Sequence, residues 1–107
     1  MSLEQASQRA DLDRYRETGH SVLEGKLGET PVNIVITPYA QERMRQRDID
    51  ESEALEALAL PRSSHGCGKT EGRHEVAGKT GRGRLRVIYA RPSSEIVLVV
   101  TAYPESD

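Results

Sequence analysis

The chain is predicted to fold as an α+β domain: two short helices packed on a mostly antiparallel sheet of about four strands, with an extra N-terminal helix. Three observations predict this. Residues 84–91 alternate, with Leu85, Val87 and Tyr89 on one side and Arg84, Arg86 and Ile88 on the other, which is the period of a strand. Residues 95–103 follow, apolar at every position from Ile96 to Val100, as in a central strand covered on both faces. Residues 36–60 carry start signals for two helices ahead of those strands. Helices grouped before a run of strands indicate segregated layers, not a βαβ repeat.

In chain order, residues 2–17 are rich in Glu, Gln, Ala and Arg and read as a helix with a weak apolar stripe (Leu3, Ala6, Ala10, Leu12, Tyr15). Residues 18–30 contain three glycines and read as loop, with a short strand possible at 21–27. Residues 31–36 are rich in β-branched side chains and read as strand. Thr37 is placed to cap the next helix, with Pro38 at its first position, where a missing N–H costs nothing. On that helix Tyr39, Arg43 and Arg47 share a face, Ala40 and Met44 share the neighbouring one, and Arg45 points to solvent. Asp50 is placed to cap the second helix, with Glu53 completing a capping box and Ile49 packing back on Ala54. Leu55, Leu58 and Ala59 form its expected buried stripe, and Pro61 stops it. Residues 61–72 read as loop. Strands are expected at 73–78, 84–91 and 95–103, with turns at 81–83 and 92–94. The division expected is 1–30 as a helix and loop able to act as a docking arm, and 31–107 as the α+β domain.

A length of 107 residues allows one modest core, and without Phe or Trp that core must be aliphatic. The net charge of −2 hides a strong asymmetry. Residues 62–91 carry eight Lys/Arg against two Asp/Glu, whereas 37–61 carry three against six. Positive charge is thus concentrated in one stretch, as an anionic partner would require. The single cysteine, Cys67, excludes an internal disulfide and suits a reducing compartment. No apolar run reaches membrane-spanning length, so no membrane partner is expected.

Residues 68–70 and 78–80 each read Gly-Lys-Thr, the ending of a P-loop, but Ser63 and Arg73 stand where the motif needs its first glycine. His65, Cys67 and His74 lack the paired spacings of a structural zinc site. Neither metal nor cofactor is therefore expected. Arg82, Arg84 and Arg86 alternate on one strand face, with Arg73 and Lys79 on the adjoining strand or its turn. Like charges side by side repel, and a phosphate backbone would remove that cost. The alternative is an exposed face balanced by Glu71 and Glu75. His74 is the one histidine within an expected strand. It is either a general acid or base beside the arginines or an edge-strand residue without a role. Tyr39 and Tyr103, at an element's start and end, are placed to contact a ligand.

From residue 36 onward the chain resembles a family of small bacterial domains of unknown function related to the RelE/ParE toxin superfamily. Thr37, Ala40, Arg43, Arg47 and Ile49 fall on its Thr-x-His-Ala-x-x-Arg-x-x-x-Arg-x-Ile pattern. An acidic helix follows at 51–60, and residues 84–89 and 99–103 match the closing strands. Tyr39 stands at the family's histidine. The resemblance implies two helices against an antiparallel sheet and kinship with metal-independent endoribonucleases grouped with barnase and RelE.

The function expected is a toxin-type domain acting on RNA as a metal-independent endoribonuclease. The alternative is a non-catalytic RNA- or protein-binding domain of the same fold. The catalytic set expected is His74 as acid or base, Arg43, Arg84 and Arg86 as phosphate clamps, and Tyr39 and Tyr103 in support. Arg47, Arg73, Lys79 and Arg82 would bind nucleic acid. The partners expected are RNA, an antitoxin or immunity protein, and a second copy in a homodimer. The location expected is the cytoplasm, or a target cell reached as part of a larger secreted chain.

Overall fold

Two stretches of β-branched residues far apart in the chain meet at the centre of one sheet. The computed structural model describes residues 3–66, 72–81 and 83–104. The elements are α1 (Leu3–Glu17), β1 (Ser21–Leu27), β2 (Thr30–Ile36), α2 (Pro38–Gln46), α3 (Glu51–Ala59), β3 (Pro61–Gly66), β4 (Arg73–Thr80), β5 (Gly83–Ser93) and β6 (Ile96–Pro104). The strands lie in the order β1-β2-β6-β5-β4-β3. β2 and β6 run parallel, from Asn33↔Ile96 to Ile36↔Val99, and the other neighbours are antiparallel. Among the described residues the fold is α+β with a mixed sheet of six strands, not about four.

The two additional strands are β1 and β3. β1 occupies the segment read as glycine-rich loop with a possible strand at 21–27. It forms a hairpin with β2 through the two-residue turn Gly28-Glu29, Gly28 taking the positive φ (64°) that such a turn needs at its first position. The boundary expected between residues 30 and 31 therefore falls within a hairpin, and of the described elements before residue 31 only α1 stands outside the sheet. β3 occupies residues expected as loop. A rim strand is held by its ladder to β4, here from Pro61↔Gly78 to Gly66↔His74, and needs no apolar alternation to announce it. Pro61 ends α3 and opens this edge strand, a position that tolerates its missing N–H.

Alternation then sorts the side chains. Val32, Ile34 and Ile36 of β2, Val76 of β4, Leu85, Val87 and Tyr89 of β5, and Val97, Val99 and Ala102 of β6 all bury against α2 and α3. The helices contribute Ala40, Met44, Ala54, Ala57 and Leu58. The stripe on α3 is therefore Ala54, Ala57 and Leu58, with Leu55 partly buried and Ala59 less so than expected. The reason is backbone approach: a Cβ at Gly78 would lie 2.5 Å from Ala57 Cα. On its other side α3 meets the opposite edge of the sheet. Leu55 packs over Gly25, and the Leu58 carbonyl accepts the Gly28 N–H at 2.8 Å. The sheet thus curls around a helix that is narrow where β4 crosses it.

The helix signals act as the sequence indicates. The Thr37 hydroxyl accepts the Ala40 N–H at 3.0 Å, and the Glu53 carboxylate accepts the Asp50 N–H at 3.2 Å. α2 ends in a Schellman motif. Asp48 has φ 57°, its N–H bonds to the Arg45 carbonyl, and the N–H of buried Ile49 bonds to the Met44 carbonyl at 2.8 Å. α1 rests on the body through Tyr15, whose ring lies 5.1 Å from that of His20. Among the described residues, no helix is long and apolar enough to cross a membrane.

Candidate nucleic-acid interface

β4 and β5 have one face under the helices and one turned away. The ladder pairs Gly78↔Leu85 and Val76↔Val87 on the covered face. The residues between them, Arg73, Glu75, Ala77 and Lys79 on β4 and Arg84, Arg86, Ile88 and Ala90 on β5, therefore share the open face. Lys79 and Arg84 stand directly opposite one another, both exposed, and no carboxylate among the described residues pairs with either. Arg82 and residues 67–71 lie outside the described residues. Gly78, Lys79 and Thr80 lie in a strand, not in a loop leading into a helix, so this Gly-Lys-Thr has no P-loop setting.

A polar cluster lies beside that pair. Arg86 and Tyr103 are direct cross-strand neighbours, and Glu75 is on the next strand over. The Glu75 carboxylate forms an ion pair with Arg86 and accepts the Tyr103 hydroxyl at 3.3 Å. Its side chain is 18% exposed and that of Arg86 33%, so the pair is shielded but reachable.

α2 adds the rest from across the rim of β6. The β2 ladder ends at Val99 because β2 gives way to α2 at residue 37, and the next residues of β6 lack a strand on that side. Arg47 fills the gap. Its Nη1 donates to the Ala102 carbonyl at 2.8 Å, and the guanidinium lies 5.8 Å from the Tyr103 ring centroid. One turn apart on α2, Arg43 Nε donates to the Tyr39 hydroxyl at 3.0 Å and its guanidinium lies 5.2 Å from that ring. Tyr39 is 57% exposed. A shallow cleft of about 120 Å³ separates Arg47 from Arg84, with the carboxylates of Asp48 and Glu53 as well as Thr80 and Pro104 on its wall. Arg45 turns away as expected and pairs with Glu42 at 2.7 Å, a hydrogen bond that holds the Glu42 carboxyl below its usual range and raises the Arg45 guanidinium.

The structure thus brings together Arg47, Arg84, Arg86 and Tyr103, with Tyr39 and Arg43 further along the same helix face and Lys79 across from Arg84. Arg73 shares the open face but pairs with Ala90, toward the other end of β5. His74 is separated from all of these. One residue from Glu75 along β4, it faces the opposite way, and its ring stacks on Tyr89 at 5.4 Å. Tyr89 is buried, and burial pushes its phenol above the ordinary range against the opposing charge of Arg91. Glu75 is the residue that sequence reasoning treated as a counter-charge alone. Its place two residues before Ala77, on the face of Lys79, was the available signal. Arg91, part of the basic stretch, is structural: it donates to the Ser94 and Ile96 carbonyls and closes the β5–β6 turn.

Comparisons with protein-family models, with characterised proteins and with solved structures return no match.

Proposed function

We propose that this chain is a RelE/ParE-like domain that acts on RNA, holding the phosphate backbone on the open face of β4 and β5. The observation that carries this reading is the Lys79–Arg84 pair. Two exposed cations directly opposite in a ladder destabilise the sheet, whereas Arg86 on the same face is balanced by Glu75. A phosphate chain converts that repulsion into attraction and releases counterions when it binds. Tyr39 and Tyr103, each with an arginine against its ring, offer stacking surfaces at the border of the cation row.

The test is RNA affinity against salt for the intact chain. Log affinity should fall with log salt by roughly 0.7 per phosphate contact for single strands. Lys79→Ser with Arg84→Ser should flatten that slope. Weak, salt-insensitive binding, or a slope the double variant leaves unchanged, would remove the proposal.

A second reading, cleavage, is favoured by the Glu75–Arg86–Tyr103 cluster. RNA carries its own nucleophile in the 2′-hydroxyl, so a base, an acid and a cation suffice without metal. Glu75 is the base this geometry offers, Arg86 the cation and Tyr103 the proton donor, while His74 stays outside the reaction. RNA cut in the presence of a chelator, and spared by Glu75→Gln although still bound, is the outcome this reading requires. Binding without cutting leaves the domain a non-catalytic RNA binder.

A further inference from the structure

The rim of the sheet at β1 is chemically self-complementary. The two-residue turn makes Leu27↔Thr30 a hydrogen-bonded pair, and alternation makes Gly25↔Val32 and Leu23↔Ile34 bonded pairs as well. Asn33 fixes the same phase independently, since its N–H points away from β1 and donates to the Glu95 carbonyl at 2.7 Å. The backbone groups of Val22, Glu24 and Lys26 are therefore aimed outward. The described backbone bonds of residues 14–20 stay within α1 and its turn, and none reaches these three residues. α3 closes the far end by taking the Gly28 N–H.

An open edge of this kind is a template for another strand, and the side chains specify which. We propose that β1 pairs antiparallel with β1 of a second copy, about a two-fold axis through Gly25. In that register Glu24 faces Lys26 of the other copy and Lys26 faces Glu24, so each contact is made twice, as an isologous interface demands. Glu24 and Lys26 are exposed and on the same face. They occupy the outward-bonding positions, so each cross-copy pair exchanges both of its backbone bonds. On the other face Leu23 meets Leu27, both of which already pack on the core. Gly25 sits on the axis in a non-bonded pair, where strands approach most closely and any side chain would crowd its own image. The result is one sheet continued through two copies, with the cation row of each far from the junction, because β1 and β4 lie toward opposite edges.

The test is the oligomeric state of the full chain by sedimentation across a wide concentration range, with charge-swapped variants. Glu24→Lys turns two opposite-charge pairs into two like-charge pairs and should weaken association by about tenfold. Lys26→Glu should do the same. The double swap E24K/K26E restores opposite charges in the same register and should restore association. Circular dichroism of each variant checks that the monomer stays folded, as the two side chains are exposed. A wild-type chain that remains monomeric overturns the proposal and leaves Glu24 and Lys26 as charges that keep the edge from pairing. A dimer that neither single swap weakens, or that the double swap fails to rescue, places the interface elsewhere and also overturns it. Neither outcome bears on RNA binding at the opposite side of the sheet.

Discussion

The two faces of the β4–β5 pair are built by the same residues in alternation and obey different rules. On the covered face Val76, Leu85 and Val87 are buried, and Gly78 has no room for a side chain. Each of these follows from packing against α3. On the open face the same ladder carries Lys79 against Arg84 and Arg86 beside Glu75. Nothing in the packing asks for two cations face to face that no carboxylate among the described residues balances, and their cost to the sheet has no return in the described packing. Residues that folding explains and residues that folding would discard therefore alternate along a single strand. That contrast, more than the total of positive charge, marks the open face as the working one.

The largest expected effect that separates the faces comes from the covered side. Leu85→Ala should lower stability by about 2–5 kcal/mol through lost burial and the cavity left behind, read as a fall in denaturant midpoint. Gly78→Ala should cost roughly 1–3 kcal/mol, or more if α3 cannot shift, because the new methyl meets the Ala57 backbone. On the open face Arg86→Met should cost about 1 kcal/mol. It takes the cation from Glu75 and leaves the Tyr103 hydroxyl on that carboxylate, and the partial exposure of both groups keeps the loss well below that of a fully buried pair. Lys79→Ser should change stability by no more than about 0.5 kcal/mol, in the stabilising direction, while weakening RNA binding. A Lys79→Ser protein clearly less stable than wild type would erase the distinction between the faces.

The smallest effect is one of pH. Burial raises the Tyr89 phenol above its unfolded value of about 10. Its contribution to stability is then complete below that pH and is lost as pH rises toward the folded value, because only the unfolded chain gives up the proton readily. Tyr89→Phe should flatten this alkaline loss in thermal melts without altering the curve near neutrality.

Much of the fold was legible because local chemistry and tertiary packing agree. Thr37, Pro38, Asp50 and Glu53 name the helix starts whatever the rest of the chain does, and the alternation in 84–89 names both faces of β5. β3 was not legible, since a rim strand is held by its neighbour's backbone and carries no apolar signature of its own. The stripe on α3 shifted because the approach of Gly78 to Ala57 is a contact between distant residues that no periodicity encodes. For the site, the cations on β5 and the α2 stripe could be placed from spacing. The orientation of His74 was also available, one residue out of phase with Glu75. What was missing was the register between β4 and β5, which decides that Lys79 meets Arg84 and that Glu75 reaches both Arg86 and Tyr103.

The parallel contact between β2 and β6 has a consequence for how the protein is made. A strand synthesised early is held against the last of the six, and the centre of the sheet is its latest part. On the ribosome the β1–β2 hairpin, α2 and α3 emerge with their apolar sides unmatched and wait for Val97 and Val99. Until those arrive no half of this sheet is self-sufficient, so the domain is most vulnerable to proteases and to aggregation just before β6 is made.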